Sequence, residues 1–466
     1  MSNVNKNIVK IISAFTGVKM LNILCTLVRN KLMAVVVGPA GMGLALIYNS
    51  VLEMIGNTSQ LNLDQSAVRE VTSGNSARHR ADVVTIVRRW TLWLGMVGMI
   101  AVCLLSPALS YWSFGDTDKW WTFCLLSPIP LFTALNGGRQ SLLQGLGYLK
   151  TLAKASATGI AVATAVAVVL ILTLGINSII PIIFTYGACT LASTILFTPR
   201  LASTRMSARE VWQRGRGMVR LGALITASYL VSQAANYIFI LYLKNTGDLD
   251  TVGLYQSGYA LVATYVGTLL VGVWVEYFPR VGRASHSRHS TSVIVSNQIG
   301  LTVTLCLPLV LLFIGLDRVV VQLLYAPEFE AVIPYITIAI VGVILRVFSF
   351  CVSFVMVARG DGRAYIVTES ISGFIGMTLN ILGYRYGGMA GLGISYIAWY
   401  IIYCTIGWVV YHYRYRLTIS HGLIAMTLGY TAIGLVAVIA KYYIGWWVPV
   451  VMAVASLPLS IKRIKK

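Results

Sequence analysis

Fourteen apolar stretches, running from Ile8–Val37 at one end to Trp446–Leu459 at the other, leave this chain one environment in which to fold. About twenty apolar residues in a helix cross the roughly 30 Å hydrocarbon core of a bilayer, and only helices and closed barrels satisfy their own backbone there. No stretch alternates with period two between turn signals, so a barrel is excluded and the spans are helices. Charged residues make up 11% of the chain, against about 25% in a soluble domain, and the mean hydropathy is +0.77. The sequence therefore predicts an all-α polytopic membrane protein with about 14 transmembrane helices. The fourth span, Trp120–Leu135, and the last are short, so counts of twelve to fourteen fit the pattern.

The net charge of +21 invites a nucleic-acid reading, which its distribution rejects. With both termini in the cytoplasm, 27 of the 36 Lys and Arg fall on the cytoplasmic side, whereas the opposite loops hold few, such as Lys119, Lys244, Arg318, Arg385 and Lys441. That bias is the positive-inside rule, and it makes the basicity topological, with membrane lipids rather than nucleic acid as its partner. Seven cysteines lie within apolar spans, an odd number without paired spacing, which gives neither a disulfide framework nor a metal motif. No Gly-x-x-x-x-Gly-Lys-Ser/Thr loop occurs, no Ser/His/Asp arrangement is visible, and no loop is long enough for a soluble catalytic domain. A non-enzymatic transporter without cofactor or metal, driven passively or by an ion gradient, is the expectation.

Polar residues inside the spans locate its pathway. Asn49, Glu53, Asn57, Gln60 and Asp64 are spaced 4, 4, 3 and 4, which predicts one helical stripe. An ionised group at mid-bilayer costs roughly 2.5–3.5 kcal/mol even on the lenient scale, so such a stripe faces a wet cavity or a partner. The first span carries Lys19, Asn22 and Arg29, and the seventh carries Tyr229, Gln233 and Asn236 at related spacing. Arg346 and Glu369 add charge in spans ten and eleven. Glu53, Glu369 and Asp64 are the candidates for ion coupling, Asp64 lying nearer a span end.

The two halves also resemble each other. Gly41-Met-Gly43-Leu44 pairs with Val252-Gly253-Leu254, Arg69 with Arg280, and Gly145-Leu-Gly147 with Gly360-Asp-Gly362, at offsets of 212, 211 and 215 residues. Six helices per repeat put both copies in the same orientation, and parallel repeats place a substrate site at their interface. The organisation predicted is a six-helix bundle over residues 1–200, a second over 215–413, and two additional helices over 422–461.

The segment Lys31-Leu-Met-Ala-Val-Val-Val-Gly38-Pro39-Ala-Gly41-Met-Gly43-Leu44 resembles the first hairpin of Wzx-type polysaccharide flippases, lipid-linked oligosaccharide translocases of the multidrug/oligosaccharidyl-lipid/polysaccharide exporter superfamily. Leu143-Gln-Gly145-Leu-Gly147-Tyr-Leu-Lys150 is similar to their turn between helices four and five. The resemblance implies a bacterial inner-membrane protein that flips a polyprenyl-pyrophosphate-linked oligosaccharide outward by alternating access, for O-antigen, common-antigen or capsule-type assembly. It also implies a polysaccharide polymerase and a chain-length regulator as partners. For such a substrate Lys19, Arg29 and Arg346 suit the diphosphate. Asn22, Asn57, Gln60, Tyr229, Gln233, Asn236, Tyr255 and Tyr259 suit the sugars. The rival within the superfamily is a cation-coupled multidrug exporter, for which acidic cavity residues are expected. A membrane-embedded polymerase or glycosyltransferase is a third reading, weakened by the lack of a large extracytoplasmic loop.

Overall fold

A computed structural model describes residues 3–464, apart from 62, 74–75, 266–276, 278–279, 282–283, 285–286 and 360. Every regular element among the described residues is helical. The chain divides into two compact units, Met1–Leu241 and Tyr242–Lys466.

The first unit holds α1 (Asn3–Val36), α2 (Gly38–Gln60), α3 (Leu63–Ser73), α4 (Ala77–Phe114), α5 (Trp120–Leu126), α6 (Pro128–Gly145), α7 (Leu149–Leu174), α8 (Ile179–Phe197) and most of α9 (Ala208–Thr246). Two departures from the sequence expectation have local causes. The fourth span is not one helix ending at Leu135. Pro128 and Pro130 remove backbone donors and disfavour helix before them, so the chain breaks at Ser127, and α6 then continues to Gly145. The polar stripe of the second span is likewise not continuous. Helix α2 stops at Gln60, Leu61 takes a left-handed conformation at φ +50°, and Asp64 belongs to the separate α3. Asp64 is thus removed from the row of Asn49, Glu53, Asn57 and Gln60.

Where α4 leaves its apolar span, the connection from α8 to α9 is tied onto it. Thr204 N–H donates to Thr85 Oγ1 (3.0 Å), Thr204 Oγ1 donates to Asp82 Oδ1 (2.7 Å), and Arg214 pairs with Asp82 (3.0 Å). Trp90 donates from Nε1 to Val211 O (3.2 Å) and stacks on Trp212 at 4.8 Å between ring centroids. Burial against water drives this end, where Leu63, Val83, Val87, Leu142 and Val211 form one apolar cluster. Within the apolar spans that drive vanishes, and close approach of small residues replaces it, as where Gly159 abuts Ser193 and the backbone of Thr190.

The second unit holds α10 (Leu249–Tyr259) and a π-helical turn at Ala260–Tyr265, which together cover the first half of the eighth predicted span, Val252–Phe278; most of its second half lies outside the described residues. It continues with α11 (Arg288–Leu324), α12 (Ile333–Ala358), α13 (Gly362–Val409), α14 (His421–Tyr443) and α15 (Trp447–Ile464). Helix α13 carries two predicted spans. Gly388, at φ +54° and ψ −136°, folds it back so that Gly383 and Gly391 touch backbone to backbone, which leaves no room for a side chain at either. Three polar contacts then join the two arms: Tyr403 to Glu369, Trp399 Nε1 to Ser372 Oγ (2.9 Å), and Ser395 Oγ to Asn380 Oδ1 (2.7 Å).

The strap seen in the first unit recurs in the second. Thr418 N–H donates to Ser292 Oγ (3.3 Å), and Asp361 accepts from Arg414 Nε (2.6 Å) and Tyr415 Oη (2.8 Å). The Arg414 guanidinium, with Tyr415 and the Ala364 N–H, holds the Asp361 carboxyl below its usual value of 3.8. The helices α4, α7 with α8, α11, α12, α13 and α14 include stretches long and apolar enough to cross a membrane. The protein is a multi-pass membrane protein.

Candidate functional site

Each unit carries its own polar cluster. In the first, Glu53 on α2 is exposed and lies close to the Gln233 side chain on α9. Asn57, one turn further along α2, is exposed as well, and so are Asn22 on α1 and Asn236 on α9. Arg29 on α1 places its guanidinium carbon 5.3 Å from the ring centre of Tyr186 on α8, a stacked arrangement that holds the cation while leaving its in-plane donors usable. The side chains of Lys19 and Tyr229 lie outside the described residues.

Beyond the break at Leu61, Gln60 and Asp64 meet again across a small pocket that Thr91, Leu94, Ala134 and Gly138 complete. The Gln60 Nε2 is buried with no hydrogen-bond partner among the described residues. An orphaned amide donor of this kind costs on the order of 1–3 kcal/mol, so the pocket presents an unmet demand for an acceptor. Arg139 sits within α6 beside Gly138, and its Nη1 is also buried without a partner among the described residues.

In the second unit the centre is Arg346 on α12, half-buried, whose Nη1 donates to Ala263 O (2.9 Å) and contacts Tyr396 Oη (3.5 Å). Tyr259 and Tyr400 lie close enough to act on its charge. No salt bridge joins Arg346 to a carboxylate among the described residues. Ala263 lies in the π-helical turn at Ala260–Tyr265, which brings its carbonyl oxygen to the Arg346 guanidinium. Tyr255 is packed inside this cluster, 5% exposed, with ring centroids 5.8 Å from both Tyr259 and Tyr335. Glu369 is half-buried and takes its bond from Tyr403, one turn from Trp399 on the facing arm.

The structure thus joins Glu53 with Gln233, Gln60 with Asp64, and Arg346 with Tyr259. Sequence reasoning missed Tyr396, Tyr400 and Tyr403, whose spacing of 4 and 3 was a legible helical face. It also missed Asp317, a buried carboxylate on α11 held by Lys441 of α14 and in contact with Thr337 of α12. Asp317 sits seven residues from the end of its helix, where a lone acid blends into the loop.

The fold defined by these helices is that of the transporters of the MOP superfamily. A multidrug resistance MATE family transporter of that superfamily, in an inward-facing conformation, superposes with a TM-score of 0.71 at 15% identity, covering 84% of this chain and 94% of its own. The lipid II flippase MurJ, in an inward closed conformation, gives 0.66 at 12% identity over 97% and 98%. A transporter from Pyrococcus furiosus, described as having a binding pocket of reversed polarity, gives 0.63 at 14% identity over 87% and 95%. No curated protein sequence matches the chain. The chain belongs to the polysaccharide biosynthesis protein family, whose model matches residues 32–334, beginning inside the Lys31–Leu44 hairpin from which the family was expected.

Proposed function

We propose that this protein is a flippase for a polyprenyl-pyrophosphate-linked oligosaccharide in the bacterial inner membrane, with both termini in the cytoplasm. The observation that carries the reading is Arg346, a half-buried guanidinium among tyrosines without a carboxylate partner among the described residues. A cation held this way in an apolar span gains most from an anionic ligand, and the family supplies a context in which that anion is a diphosphate. Arg29 and Lys19 are the cations of the first unit suited to an anionic headgroup. Asn22, Asn57, Gln60, Tyr229, Gln233, Asn236 and Tyr259 are assigned to sugar hydroxyls, which amides and phenols match as paired donors and acceptors. The lipid tail stays in the bilayer, so the protein shelters only the headgroup. A polysaccharide polymerase and a chain-length regulator are the partners this role implies.

The test is flipping of a fluorescent lipid-linked oligosaccharide in proteoliposomes. Arg346→Ala should lose most activity at normal abundance, and Arg346→Lys should recover part of it, because an ammonium lacks the planar fork. Full activity of Arg346→Ala would remove the assignment. A second reading, a cation-coupled drug exporter, is favoured by the exposed carboxylate of Glu53. Gradient-driven efflux of organic cations by the same vesicles, without headgroup flipping, would establish it instead.

A further inference from the structure

Two of the seven cysteines, scattered in sequence, meet in space. Cys103 on α4 and Cys124 on α5 stand with their Sγ atoms 3.8 Å apart. The surroundings fix one of the two. Ser106 spends its hydroxyl proton on Cys103 O (2.7 Å), so its oxygen is free to accept from the Cys124 thiol at 3.1 Å. Helix α5 is itself anchored: Tyr48 and Thr122 share a 2.9 Å hydrogen bond, and Phe123 is fully buried. Cys103 has no such restraint and is exposed on the outer face of α4. The 3.8 Å separation is already sulfur–sulfur contact distance, and closing it to a disulfide of about 2.05 Å requires a further approach of about 1.8 Å.

We propose that Cys103 and Cys124 form an oxidisable dithiol site, a reversible modification that ties α4 to α5. Cys103 faces the bilayer, so the fitting oxidant is a membrane-soluble two-electron acceptor of the quinone class. The balance is two thiols and one quinone to one disulfide and one hydroquinone. The two S–H bonds break, one S–S bond forms, and both protons and both electrons leave on the hydroquinone. Cys103, the accessible sulfur, reacts first, and Cys124 is the resolving thiol that closes the bond. The chain between them, Gly115–Lys119 included, becomes a closed loop, and the unfolded chain loses the freedom that loop had.

The full-length protein in detergent is treated with diamide, which accepts the same two electrons and two protons, and is then denatured and labelled with a maleimide. Five of the seven thiols should label after oxidation and all seven after reduction. Trypsin cleavage at Lys119 should leave the flanking peptides joined, with Cys103 and Cys124 identified across the link by mass spectrometry. Cys103→Ser and Cys124→Ser should each abolish the link, and the thermal midpoint of the oxidised wild type should exceed that of the reduced protein. Seven labelled thiols after diamide, or a link through any other pair such as the buried Cys306 and Cys351, would overturn the proposal. A link that forms in either serine variant would overturn it equally.

Discussion

Lys441→Met tests how the last helices are attached. Asp317 is 1% exposed and Lys441 19%, and the pair joins α11 to α14 while Thr337 of α12 contacts the same carboxylate oxygen. Arg318 N–H donates to the other oxygen at 2.6 Å, so the carboxylate is fully engaged. Removing one member of a buried pair strands the other charge, which costs about 3–5 kcal/mol, whereas replacing both by apolar groups of similar size is close to neutral. The burial makes the two single substitutions unequal. Lys441→Met leaves Asp317 sealed in protein and should cost the full amount. Asp317→Asn leaves an ammonium near its helix end that can extend toward the interface, and should cost about half as much. The double variant Asp317→Leu/Lys441→Met should lie within about 1 kcal/mol of the parent, and Thr337→Val alone should cost about 1 kcal/mol. Equilibrium unfolding in mixed detergent micelles, followed by tryptophan fluorescence, measures all four. Equal losses for the two single variants, or a double variant as unstable as Lys441→Met, would refute the argument that stranded charge dominates.

Glu53→Gln mimics permanent protonation and should stall flipping driven by a proton gradient while headgroup binding persists; wild-type flipping indifferent to proton and sodium gradients rejects ion coupling through Glu53, Asp64 or Glu369. Asp361 is held low by Arg414, so its contribution is complete above the unfolded value near 3.8 and is lost as pH falls through its lower folded value. Hydrogen exchange at residues 414–420 should accelerate across that acidic window, and Asp361→Asn should show the fast exchange already at neutral pH. Gly391→Ala should abolish monodisperse expression because its Cβ meets the Gly383 carbonyl, whereas Gly429→Ala on α14, with open space around it, should stabilise by up to about 1 kcal/mol in thermal melts. Reporter fusions after Gly115 and Gly247 should read as extracytoplasmic and after Arg214 as cytoplasmic; reversal at two of these sites overturns the orientation.

What the sequence made legible was what repeats along one helix. A span declares itself by composition, and the row Asn49, Glu53, Asn57, Gln60 declares a face by its period, so the helical class and one polar wall could be read in advance. Asp64 kept that period by coincidence, because Leu61 ends the helix through a left-handed backbone that hydrophobic patterning does not encode. Contacts across long separations leave no periodic trace. Lys441 looked like a loop cation and Asp317 drew no reading until α14 was laid beside α11, and the cysteine spacing gave no hint of the Cys103–Cys124 contact. Arg346 shows the same limit from the other side. Its cost inside an apolar span marked it as functional from one residue, yet the tyrosines and the Ala263 carbonyl beside it come from a π-helical turn and a facing arm. A charge in a membrane helix can therefore be located by its energetics alone, but whether it is a ligand-binding group or a bolt is decided by its partners. Lys441 has a carboxylate and acts as a bolt. Arg346 has none among the described residues, and that difference makes Arg346 the residue to substitute first.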